Sequence, residues 1–345
     1  MTRSRTARSA RPPISARLKF LALGGVAIAA ILAGAPLSAP TASAATTQST
    51  TAAGIRAEST QSIFPGGLLV SPDSTAEKAG VALKAAGDST GAGAAYFIAK
   101  RSVAIWLTSS YSNTLLVKII DRELASAEAQ GTTPVFVTYA IPDRDCGGYS
   151  AGGLTSSTYP AWSNLVASTL KGHRAVVMIE PDSLSTCPSQ TTTREALIAK
   201  AVTTFTADGI PAYLDAGSPN SVTAQVAANR LQAAGIANAR GFFSNVASYY
   251  PVDQVRSYDN SISSLTGGSH FVIDVSRDGQ GWRGTWCNAP GAGLGQDPHV
   301  AAGGTPLDAL LWIKSPGVSD GTCNGGPAAG TWFASYAERL VALRA

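Results

Sequence analysis

Two carboxylates follow a short apolar run: Val176-Val177-Met178-Ile179 leads directly into Glu180-Pro181-Asp182. A run of that length and composition reads as a strand buried on both faces, as in a parallel sheet. Pro181 ends it, because proline has no N–H for a further rung. Taken alone, Asp182 reads at least as well as the cap of the next helix as it does as a chemical group. Recurrence decides between the two. The run 134–141 ends at Pro142-Asp143-Arg144-Asp145, 212–214 at Asp215, 270–275 at Ser276-Arg277-Asp278, and 307–313 at Lys314 and a turn holding Asp320. Capping explains one or two such residues. Asp145, Asp182, Asp215, Arg277, Lys314 and Asp320 gathered on one rim point to an active face.

Adjacent carboxylates push their pKa values apart, so that one can serve as acid while another stays ionised. Tyr139, Trp106, Trp282, Trp286 and Trp312 offer flat apolar faces of the kind that suit the C–H faces of sugar rings, although each tryptophan alone reads equally well as core. The chain carries no serine elbow, no Cys–His pair, no phosphate-cradling glycine loop and no metal-ligand spacing. Glycoside hydrolysis is the chemistry this inventory fits best.

The elements that must position these groups alternate. Strands are expected at 134–141, 175–179, 212–214, 241–247, 270–275 and 307–313, with helices at 157–171, 191–208 and 221–234. That order implies an α/β fold of parallel strands joined by right-handed crossovers. Upstream, 68–70 reads as a first strand. Residues 75–86 and 98–125 read as largely helical, with breaks at Gly91 and near Ser109.

The first residues belong to a different class. Arg3, Arg5, Arg8, Arg11, Arg17 and Lys19 precede an apolar run over 20–36 and the small-residue site Ala42-Ser43-Ala44. Residues 1–44 therefore read as a secretory signal peptide; a retained anchor is the weaker reading, since the run is marginal for a span. The expected mature protein is secreted and free of the membrane. Residues 45–62, rich in Ser, Thr and Ala, are expected to be disordered, and 63–345 to form one catalytic domain. Without the six N-terminal charges, 26 − 6 = 20 basic residues face 22 acidic ones, a balance that gives no reason to expect a nucleic-acid partner. Cys146, Cys187, Cys287 and Cys323 favour two disulfides in an oxidising compartment, with three pairings open. Only His173, His270 and His299 are present, so neither a metal nor a cofactor is expected.

Six segments in order, TYAIPDRDC (138–146), VVMIEPDSLS (176–185), AYLDAG (212–217), FVIDVSRDGQG (271–281), TWCNAPGAGLG (285–295) and DALLWIKSPGVSDGTC (308–323), resemble the motifs of glycoside hydrolase family 6. These are inverting cellulases built on a distorted, incomplete β/α (TIM-like) barrel, and the resemblance runs from Trp106 to Cys323. It implies that Asp182 is the general acid, that Asp145 keeps it protonated and relays a proton from the attacking water, and that Tyr139 crowds the distorted sugar. Asp215, Lys314 and Asp320 match charged residues of the central subsites, Asp320 being the disputed candidate for the base. Trp106 and Trp286 match stacking tryptophans, Asn245 resembles a groove-lining asparagine, and Ser150 is a candidate to hold the water. The implied disulfides are Cys146–Cys187 and Cys287–Cys323. The chain departs from the family at Ser218 and Ser221, where a histidine and a tryptophan are usual, at Val318 for a glutamate, and at Ala292 for an arginine.

The resemblance implies a monomeric, inverting endo-β-1,4-glucanase acting on cellulose or a related β-glucan. Endo action is expected because the segments between motifs are short and leave no insertion to roof a tunnel. A non-catalytic glycan-binding protein on the same fold is the main alternative. An exported solute-binding protein is a third, but its two-lobed repeat is not visible.

Overall fold

The expected run at 176–179 is a strand, and all four of its residues are buried. It lies third in a sheet assembled in the computed structural model, which describes residues 51–186 and 191–345. The strands are β1 (Ile105–Thr108), β2 (Val135–Tyr139), β3 (Val176–Ile179), β4 (Ala212–Asp215), β5 (Gly241–Ser244), β6 (His270–Asp274), β7 (His299–Val300) and β8 (Leu307–Leu311). Their order is β1-β2-β3-β4-β5-β6-β8-β7, all parallel except the antiparallel pair β7–β8. Helices connect the successive parallel strands from β1 to β6, which is what parallel pairing demands.

Alternate residues serve two cores. Val135, Val137, Val176, Met178, Tyr213, Phe243, Val272 and Leu311 pack together on one face, while their neighbours Phe136, Val177, Leu214, Phe242 and Ile273 pack with the helices. The sheet curls until its ends approach. The Ala104 N–H donates to the Trp312 carbonyl at 3.0 Å, and the Trp106 indole N–H to the Ile313 carbonyl at 2.8 Å. β1 and β8 are otherwise unpaired with each other, so the result is a distorted, incomplete β/α barrel.

Three expectations are corrected. The lead-in is ordered from residue 51, as helices Ala52–Ala57 and Thr60–Ile63, capped by the side chains of Thr51 and Ser59. Ile55, Ile63 and Phe64 join the cluster inside the barrel. Arg240 donates to the carbonyls of Ile55, Arg56 and Glu58, while Asp308 accepts from Arg240, Tyr213 and Thr60. Each short helix carries a single anchoring isoleucine, so no periodicity marked them. Second, 68–70 makes only one bridge, Leu68 to Thr133, and the first strand is β1. β1 lay inside the stretch read as helical; a four-residue apolar run cannot be assigned by periodicity alone.

Third, Gly91 does not interrupt the chain. It sits in helix Ser89–Ala99, its N–H capped by Asp88 at 2.8 Å. That helix packs so closely on helix Thr75–Ala85 that a Cβ at Gly80 would lie 2.7 Å from the Tyr96 ring. Helices Val252–Leu265 and Ala334–Ala342 and strand β7 are not among the expected elements. The expected signal peptide at 1–44 and Cys187 lie outside the described residues.

Candidate active site

The C-terminal ends of the strands open into a cavity of about 690 Å³. β2 delivers Tyr139 and the turn holding Arg144 and Asp145, β3 delivers Asp182, and β8 delivers Lys314 and Asp320. Trp106 on β1 and Tyr139 on β2 both project to the barrel interior, their rings edge-on at 5.0 Å. Asp143, Asp145, Cys146, Glu180 and Asp182 all have positive φ. For non-glycine residues this costs on the order of 1–3 kcal/mol each and gathers at functional sites.

Glu180 ties the two acidic turns together. Its buried carboxylate accepts the N–H groups of Ala140 at 2.8 Å and Ile141 at 3.0 Å, holding the chain that leads to Asp145 against the one that leads to Asp182. Asp215 supports the other side. Its Oδ2 accepts the Ser185 hydroxyl at 2.7 Å and the N–H groups of Leu184 and Ser185, and its Oδ1 accepts the Gly217 N–H.

The two shell acids free Asp182 from structural duty: among the described residues its carboxyl has no hydrogen-bond partner. Burial, then the negative charges of Asp215 and Asp145, push its pKa up to about 8, against an opposing pull from Lys314. It is a carboxylic acid, protonated at neutral pH. Asp145 is held by the Ser150 N–H at 2.6 Å. Burial and the charges of Asp182 and Asp145 raise the pKa of Tyr139, which stays a phenol.

Asp320 is the opposite case. Burial alone would raise its pKa, but Arg277 at 2.7 Å and Lys314 at 2.8 Å outweigh it and bring the value to about 2. Both oxygens are engaged, since Oδ2 also accepts the Asn288 N–H at 2.8 Å. A carboxylate so strongly stabilised is a weak base. The disulfide Cys287–Cys323 and the buried Asn288 join the loop carrying Trp286 to the loop carrying Asp320: Asn288 donates to the carbonyls of Gly321 and Cys323 and accepts the Asp320 N–H. Trp286 stands exposed at the lip, 6.2 Å from the Tyr149 ring.

Residues 67–344 match the model of the glycosyl hydrolases family 6. The chain belongs to that family. It is 35% identical over 290 residues to Endoglucanase 1 of Streptomyces halstedii, covering 80% of this chain and 88% of that one. It is 39% identical over 239 residues to Endoglucanase A of Cellulomonas fimi, covering 68% of this chain and 52% of that one, so the match spans about half of that relative. The endoglucanase Cel6 of Mycobacterium tuberculosis, solved with a thio-linked cellobioside, superposes with a TM-score of 0.75 at 36% identity, covering 84% of this chain and 98% of that one.

Within this family 6 chain the cavity brings together Asp182, Asp145, Asp320, Tyr139, Trp106, Ser150, Trp286 and Lys314. It does not bring in Asp215 or Asn245, both expected to touch sugar. Asp215 is spent on the turn after Asp182. Asn245 is fully buried, its side chain donating to the carbonyls of Tyr250 and Asp274. Of the departures, Val318 lines the cavity. Ser218 and Ser221 instead close their own turn, the Ser221 hydroxyl bonding the Ser218 N–H and carbonyl. Ala292 is buried outside the cavity.

Sequence reading gave no role to Arg144 or Asn288. Arg144 donates to the Tyr139 carbonyl at 2.9 Å and the Ser150 carbonyl at 2.8 Å, with its guanidinium 4.8 Å from the centre of the Tyr139 ring. Its position between two aspartates was the available signal. Asn288 carried none, since its partners lie about thirty residues away in sequence.

Proposed function

We propose that this protein hydrolyses internal β-1,4-glucosidic bonds of cellulose or a related β-glucan, with inversion at the anomeric carbon. The observation that carries the reading is the protonated Asp182 carboxyl facing a cavity walled by Trp106, Tyr139 and Trp286. An acid whose pKa lies near or above working pH can protonate the leaving glycosidic oxygen. In an inverting site the second carboxylate acts on a water across a wider gap than a covalent mechanism needs.

Asp145 takes that second role in this reading. It lines the cavity, adds to the negative field that keeps Asp182 protonated, and stands beside Ser150, which helps to seat the water. Asp320 serves as an anchor for Lys314 and Arg277, and its low basicity supports Asp145 over Asp320 as the proton acceptor. Trp106 and Trp286 hold the glucan by stacking. Endo action is supported by the similarity to proteins named endoglucanases in Streptomyces halstedii, Cellulomonas fimi and Mycobacterium tuberculosis. The protein acts outside the cell as a monomer, after removal of the N-terminal segment.

Reducing-sugar release from carboxymethyl-cellulose and mixed-linkage glucan, comparing wild type with Asp182→Ala, tests the activity. Equal release by the two proteins rejects it. Proton NMR of the first product tests the stereochemistry: the α-anomer is expected, and an initial β-anomer rejects inversion.

A further inference from the structure

The cavity extends well beyond the catalytic rim. Past Trp106 it continues by Tyr111 across the open edge of the barrel, over the outer side of β1 at Ile105, and between helices Thr75–Ala85 and Asn113–Gln130 as far as Asp73 and Glu123. This lobe lies beside β1 because, among the described residues, β1 is an edge strand with no further β/α unit beside it.

Its chemistry is specific. Glu123 is 2% exposed, and one of its oxygens receives both Nε and Nη2 of Arg122, while Oε2 has no hydrogen-bond partner among the described residues. A buried acceptor left without a donor is costly, and Glu123 borders the lobe, so a small turn of its side chain towards the lobe lets a ligand hydroxyl supply the missing donor. Arg122 also pairs with Asp73, which pairs in turn with Lys78 at 3.0 Å. Two acids and two bases cancel, so the lobe has no net attraction for an ion. Ile105 and Ile119 line it with apolar surface. A hydroxyl donor, no net charge and one apolar face together describe a pyranose.

We infer that this lobe binds a neutral sugar unit of the substrate beyond Trp106, either the next unit of the main chain or a side-chain sugar. The inference rests on the glucan-hydrolase reading and adds a binding site to it. Calorimetry on the full chain carrying Asp182→Ala, so that ligands survive, provides the test. The ligands are cellotetraose, cellohexaose and a xylose-branched cello-oligosaccharide.

Affinity is expected to rise roughly tenfold from the tetrasaccharide to whichever of the other two reaches the lobe, as a few added hydrogen bonds and stacked surface would give. A rise with the hexasaccharide identifies a main-chain unit, and one with only the branched ligand a side-chain sugar. Adding Thr75→Trp, at an exposed position on the lobe's wall, should abolish the rise and leave tetrasaccharide affinity unchanged. Adding Glu123→Gln should reduce the rise several-fold by replacing a charged acceptor with a neutral one. Tetrasaccharide binding without any rise, or a rise untouched by both variants, overturns the inference. Failure to bind any of the three overturns the hydrolase reading along with it.

Discussion

Ser185 donates its hydroxyl to Asp215 at 2.7 Å, three residues beyond Asp182, whose carboxyl has no hydrogen-bond partner among the described residues. Asp215 thereby acts on Asp182 in two ways: it fixes the turn that follows, and its charge is the leading electrostatic contribution to the raised pKa of Asp182. Asp215→Asn should weaken both. The expected result is a kcat lowered by about tenfold, with KM changing little, because ground-state contacts to sugar are not removed. The alkaline limb of the pH–rate profile should also move to lower pH. An unchanged limb would separate Asp215 from the acid.

The pH dependence of Asp182 itself follows from its value of about 8. In the proposed role of general acid it is the protonated form that acts, so kcat/KM should fall as pH rises through that value. Asp182→Ala and Asp182→Asn should each lower kcat by about 10²–10⁴, the usual contribution of a general acid. The folded pKa lies above the unfolded one, so the stability linked to this proton is fully present below about pH 4 and is lost as pH rises towards 8, because the unfolded chain ionises Asp182 while the folded one still holds its proton. Asp182→Asn should therefore melt higher than wild type at pH 8, by about 5–10 °C, since a folded value about four pH units above the unfolded one is worth roughly 5 kcal/mol there, and match it near pH 4; calorimetry at the two pH values measures this.

Acid stability depends on Asp320 and Asp308. Burial opposes both ionised carboxylates, but Arg277 with Lys314, and Arg240 with His270, bring each pKa to about 2. Values below the unfolded reference of 3.8 mean that their stabilisation is present above pH 4 and lost as pH falls towards 2, on the order of 2 kcal/mol for each. Circular dichroism melts between pH 5 and pH 2 should show a steep decline over the lower half of that range. Asp320→Asn should cost about 3–5 kcal/mol at neutral pH, because it leaves the fully buried Arg277 without its counter-charge. A catalytic base without a structural role would instead leave Tm unchanged.

Cys287–Cys323 spans 36 residues, with Trp286 immediately before its first cysteine and Asp320 just inside its second. Replacing both cysteines with serine should lower stability by about 3–4 kcal/mol. It should also raise KM more than it lowers kcat, since Trp286 is the lip residue whose placement depends on this bridge. Chemical denaturation and steady-state kinetics on the double variant check both.

Asn288 offers a second test of the same loops. It is fully buried and joins them through hydrogen bonds on both sides of its amide. Asn288→Ala leaves the Gly321 and Cys323 carbonyls and the Asp320 N–H without this partner. A loss of about 2–4 kcal/mol is expected by urea denaturation.

Much of this protein is local in origin and was therefore legible in sequence. The runs ending at Tyr139, Ile179, Asp215, Ser244 and Asp274 are strands because short β-branched and aromatic stretches between polar breaks have no better place to bury themselves. The acids after them fall on one rim because parallel strands all point the same way. Asp182, Asp145, Tyr139, Trp106, Trp286 and Lys314 follow from that pattern and from the family motifs. Tertiary structure decided which acids face the cavity. Asp215 carries the same carboxylate as residues that do, but hydrogen bonds from Ser185, Leu184 and Gly217 turn it into a support, as those from Asn245 to Tyr250 and Asp274 do for that amide. The fate of Asp320 depends on Arg277 and Lys314, and the order of residues 51–64 depends on Arg240, distant in sequence. A side chain's pKa and direction are set by what is packed around it, and for these residues the neighbours come from other strands.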